Sequence, residues 1–117
     1  ITAFCPMIDA RRMEVYAQVF DSDLNPISAV SAEIIEEDSF AKQLEIGKVA
    51  FFGDGAAKCK DTIRHSNAIF LHGFNTSAEG MISLAEEKLA KSEFEDVAYF
   101  EPYYLKDFVA GKPKKMF

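Results

Sequence analysis

The stretch Asp9-Ala10-Arg11-Arg12-Met13-Glu14-Val15-Tyr16 holds the densest chemistry in this 117-residue chain. Two adjacent guanidiniums flanked by carboxylates are more than a turn requires. Arginine forks grip carboxylates and phosphates in a directed way, so Asp9, Arg11 and Arg12 are candidate binding residues. The plainer alternative is a self-satisfied turn in which Asp9 pairs with an arginine. Gly53-Asp54-Gly55 is the second candidate. A glycine turn between a strand and a helix can offer free amides to an anion, but Asp54 sets a negative charge against phosphate. Neither a G-x-G-x-x-G nor a Walker spacing accompanies it. The alternative for Gly53, Asp54 and Gly55 is a tight turn that needs glycine.

Other constellations are incomplete. His65 and His72 are the only histidines and have no H-x-x-x-H partner. No set of ligands converges for zinc or iron, and no metal or cofactor is expected. Cys5 and Cys59 lie in or beside apolar segments, outside any C-x-x-C pair, and are expected to be reduced and buried. The carboxylates Glu33, Glu36, Glu37 and Asp38 cluster, but nothing apolar surrounds them, so they are expected to form a solvated edge. No complete catalytic site can be assembled from these residues.

The elements that must position the candidates follow from periodicity. Residues 2–8 predict a strand, with Pro6 placing it at an edge or a bulge. Val15, Ala17 and Val19 alternate with Tyr16, Gln18 and Phe20, a period of two. Residues 2–20 therefore predict a hairpin with the charged stretch at its tip. Asp21 to Pro26 is rich in turn formers. Alternation at Val30, Ala32 and Ile34 predicts a third strand. Asp38 or Ser39 can cap a short helix through Leu44, which Gly47 ends. Val49-Ala50-Phe51-Phe52 predicts a buried strand, the glycine turn follows, and a short helix is expected over 56–64. Ala68 to Leu71 predicts the next strand. Thr76-Ser77-Ala78-Glu79 fits a capping box. It opens a helix whose apolar face is Ala78, Met81, Ile82, Ala85 and Leu89. Val97 to Phe100 predicts a last strand.

Composition sets the class. With 49% hydrophobic and 27% charged residues the chain is globular, and its length suits one domain. The net charge of −6 repels phosphate backbones, so nucleic-acid binding by this unit alone is disfavoured. Lys112, Lys114 and Lys115 concentrate basic charge in a tail over 109–117. No apolar run approaches the 18 residues a membrane helix needs. With no export signal visible, a cytoplasmic location is expected. The chain begins Ile1-Thr2-Ala3-Phe4, directly in strand-like sequence, which leads us to expect a piece of a longer protein.

The stretch Asp9 to Tyr16 also resembles the D-A-R-x-x-E-V-Y signature of the TsaB (YeaZ) family. Three further segments follow in the family's order: Gly53-Asp54-Gly55-Ala56, the Thr76-Ser77-Ala78 helix opening, and Pro102-Tyr103-Tyr104-Leu105-Lys106, where Lys106 replaces an arginine. The match spans residues 2–108. The resemblance implies an α/β fold: a ribonuclease-H-like lobe of the actin, Hsp70 and sugar-kinase architecture, with a mixed sheet packed with helices. It implies that residues 1–108 are the C-terminal lobe and that the N-terminal lobe is absent. It further implies a non-catalytic scaffold subunit for bacterial N6-threonylcarbamoyladenosine synthesis on tRNA, partnering TsaD and TsaE and meeting tRNA only through the complex. Self-association of the lobe, as a homodimer, is expected from its uncovered interface. The rival functions are a nucleotide-binding lobe using the 9–12 tip and the 53–55 turn, and a peptidase, after the family's older glycoprotease-like (M22) label.

Overall fold

A computed structural model of the chain describes residues 1–73 and 78–93. The expected strand at 97–100, the motif at 102–106, the basic tail and Thr76-Ser77 of the capping box lie outside the described residues. The hairpin forms as its alternation dictates. Strand β1 (Ala3–Asp9) pairs antiparallel with β2 (Glu14–Ala17) and, further down the same register, with β3 (Phe20–Asp21). The ladder breaks between them, opposite Pro6, which has no amide to donate. At the break the Val19 amide donates to Ser28 Oγ at 2.9 Å instead. Pro6 is therefore not on an edge strand: β1 is central, and the proline marks an interruption of its pairing.

Strand β4 (Ser31–Ile34) adds antiparallel to β2. On the other side of β1, β5 (Val49–Phe52) and β6 (Ala68–Phe70) add in parallel. The result is a mixed sheet in the order β4-β2-β1-β5-β6, with β3 beside β1.

One face of the sheet carries the core. Ala3, Cys5 and Met7 of β1 alternate inward with Val15, Ala17, Val49 and Phe51, and Leu44, Ala56, Cys59 and Ile63 pack over them. Phe51 is fully buried, with Phe40 tilted against it at 5.4 Å and Phe70 stacked on it at 5.3 Å. Helix α1 (Ala41–Ile46) supplies Leu44. Its N-cap is Phe40 in the left-handed region, with no side-chain cap; Ser39 accepts the Glu36 amide rather than capping the helix. Gly47 ends α1, as expected, through its amide to Gln43. The helix expected at 56–64 is only a 3-10 turn, Ala57–Cys59, with further turns to Ile63.

The second face of the sheet (Phe4, Pro6, Tyr16, Phe52, Ile69) is half-buried, and Ile8 is exposed. Helix α2 (Ile82–Ala90), led by a 3-10 turn at Ala78–Met81, is present near its expected place. Its apolar stripe is not packed as the periodicity suggests: Met81, Ile82, Ala85 and Leu89 are all exposed. Amphipathic spacing reports a helix, but burial needs an opposing surface, and none of the described elements supplies one. No helix among the described residues is long and apolar enough to cross a membrane.

Candidate functional site

Because β1, β5 and β6 run in parallel, their C-terminal ends share one edge of the sheet. The loops that leave them, 10–13, 53–56 and 71–73, gather there. This is the edge where open α/β sheets place their ligands. The two sequence candidates, 45 residues apart, meet at this edge: the Asp9 amide donates to Asp54 Oδ1 at 2.8 Å.

The tip is held from within. Asp9 Oδ1 accepts the Arg11 amide at 3.1 Å and pairs with Lys58 Nζ. Lys58 also donates to the Glu14 carbonyl at 2.7 Å. The Glu14 amide donates to the Arg11 carbonyl, and the Ala10 amide to the Glu14 carbonyl. The Lys58 ammonium, followed by the Arg11 amide, holds the Asp9 carboxyl below its ordinary value of 3.8. Asp9 thus pairs with a lysine 49 residues away rather than with either arginine. Lys58 is the residue missed at the sequence level. Its type and position carry no signal there, because the parallel pairing of β1 with β5 is what brings the 3-10 turn under the tip.

Arg11 and Arg12 take φ angles of 79° and 47°. Left-handed backbone costs a non-glycine residue roughly 1–2 kcal/mol, and two in succession persist only where neighbouring bonds determine them. Both side chains are exposed, and neither guanidinium has a hydrogen-bond or ion-pair partner among the described residues. They line a shallow cavity of about 600 Å³ with Ala10, Met13, Glu14 and Ile34.

The glycine turn performs structural work. Gly53 has φ of 99°, and a Cβ there would run into the Met7 carbonyl. A Cβ on Gly55 would sit 2.9 Å from the Ile8 carbonyl carbon. The Gly55 amide is taken by Met7 O and the Ala56 amide by Gly53 O. These two amides are thus not offered to an anion, and the Asp54 carboxylate is turned to β1. Beside the turn lies a smaller cavity of about 300 Å³, lined by Gly53, Asp54, Ala56, Phe70 and His72 among others. His72, unremarkable in sequence, is brought to the same edge as Asp54. His65 lies elsewhere and accepts the Asn67 amide on Nδ1 at 3.0 Å.

Both thiols are buried. Burial, with smaller contributions from Cys59 and Glu33, pushes Cys5 up to about 12. Burial also raises Cys59, whose Sγ donates to the Gly55 carbonyl at 3.3 Å. Neutral, enclosed thiols are poor nucleophiles. Among the described residues no group of three His, Cys, Asp or Glu is placed to hold a metal.

No family model matches the sequence, and no curated protein does. The fold is shared with a solved structure, that of an uncharacterized protein with similarity to peptidase YeaZ from Pseudomonas aeruginosa. The TM-score is 0.68 at 19% identity, over 90% of this chain and 50% of that one. This chain therefore spans about half of that neighbour's length. The likeness is one of fold, and it supports the YeaZ resemblance read from the motifs.

Proposed function

We propose that the chain is one lobe of a TsaB-like, non-catalytic scaffold subunit serving N6-threonylcarbamoyladenosine formation on bacterial tRNA, with TsaD and TsaE homologues as partners. The observation that carries this proposal is the joint placement of two family-like motifs. The 9–16 stretch and the 53–56 turn lock together at one sheet edge, on a fold shared with a YeaZ-like protein. The proposal extends to a ribonuclease-H-like lobe within an actin-type architecture. The net charge of −6 favours meeting tRNA through the complex rather than directly.

The peptidase alternative has against it the burial of both thiols, which pushes each above the ordinary thiol value. The nucleotide-lobe alternative has against it the occupied amides of Gly55 and Ala56 and the Asp54 carboxylate. The deciding experiment is binding and activity with a purified TsaD homologue. The full-length protein is expected to co-elute with TsaD and to support threonylcarbamoylation of tRNA when TsaE is present. The 117-residue lobe alone is expected to bind more weakly. A full-length protein that neither binds TsaD nor supports the modification would sink the proposal.

A further inference from the structure

We infer that the Arg11–Arg12 tip is a docking point for an extended, acidic segment of a partner protein, one carboxylate beside an aliphatic side chain. This stands on geometry independent of the tRNA proposal. The two guanidiniums are adjacent, exposed and unpartnered among the described residues, although the chain carries an excess of negative charge. The carboxylate nearest in sequence, Asp9, is withheld from them by Lys58 and the Arg11 amide. Lys58, Asp9 and Glu14 thereby fix the backbone that presents the arginines, leaving both forks without an acceptor among the described residues.

The cavity beside them has an apolar floor. Met13 packs against the core and takes the Ile35 amide on its carbonyl at 2.7 Å, which anchors the floor to the end of β4. Ile34, 66% exposed, completes the wall. The occupant therefore needs an anionic group for the forks and an aliphatic group for Met13 and Ile34. Enclosure decides between a small ligand and a protein segment. Small-molecule sites bury most of their ligand, whereas this floor is open, with both arginines and Ile34 at the surface.

The test is a titration of the ¹⁵N,¹³C-labelled full chain, following the arginine Nε–H and Ile34 methyl signals. The probes are a capped Leu-Glu-Leu-Glu-Leu peptide, its Gln counterpart and inorganic pyrophosphate. Saturable shifts at Arg11, Arg12 and Ile34 are expected with the Glu peptide and not with the Gln peptide. Affinity should fall at least about tenfold in the Arg11→Gln/Arg12→Gln variant, whose fold should persist because neither guanidinium holds another group among the described residues. Shifts with pyrophosphate alone would assign the tip to small phosphates and overturn the inference, as would equal response to both peptides or no response at these residues.

Discussion

Two apolar patterns in this chain look equally firm as sequence and end in opposite environments. Val49 to Phe52 forms β5, with Val49, Ala50 and Phe51 fully buried. The stripe of Met81, Ile82 and Leu89 forms the face of α2, and each of those side chains is more than half exposed. The strand has neighbours on both sides and α1 and the 3-10 turn over one face. The helix has no described surface against it. Periodicity therefore specifies an element and the side it would bury. It does not specify whether a complementary surface arrives.

The sharpest probe of that contrast is Phe51→Ala. It removes a fully buried ring between Phe40 and Phe70 and should cost about 3–5 kcal/mol in urea unfolding. A loss near zero would mean that the sheet face is not the core. Gly53→Ala comes next, at about 1–3 kcal/mol, since left-handed backbone and a clash with the Met7 carbonyl act together. Gly73→Ala is its control. Gly73 has a similar positive φ but no described atom near its Cβ position, so it should lose only the backbone part. Equal losses at the two glycines would show that the close approach to β1 does not matter.

Lys58→Met follows, at roughly 1–2 kcal/mol from the charged hydrogen bond to the Glu14 carbonyl. It also carries a pH signature. The Asp9 carboxyl is depressed in the folded chain, so its stabilisation is present above its ordinary value of 3.8 and is lost as pH falls through the lower folded value. The variant should flatten that acid limb; an unchanged limb would show that Lys58 does not hold Asp9. Smallest is Leu89→Gln on α2, expected within about 0.5 kcal/mol of the parent because the side chain is exposed. A cost approaching that of Phe51→Ala would abolish the contrast and show α2 packed in solution.

The candidate site divides along the same line. That residues 9–12 form a hairpin tip and 53–55 a glycine turn was legible from alternation and from turn-forming residues. The hairpin register follows from the same alternation, because slipping by one residue would turn one strand's inward set, Cys5 and Met7 or Val15 and Ala17, to the face opposite the other's. The failure of Ser39 as a cap was not legible. Phe40 enters the left-handed region beside Phe51, an aromatic contact that no capping rule contains.

Local sequence determined most of the strands, the places where the chain turns, the glycines at the tight approach and the presence of α2, because these depend on side-chain period and backbone freedom over a few residues. Tertiary structure alone decided that β5 lies parallel to β1, and with it that Asp54 receives the Asp9 amide and Lys58 locks the tip. It likewise decided that one apolar face is covered and another is not. Those outcomes join residues 45 and 49 positions apart, a distance over which no local propensity acts. The arginines were conspicuous from the start; only the lysine beneath them made clear that they are held outward.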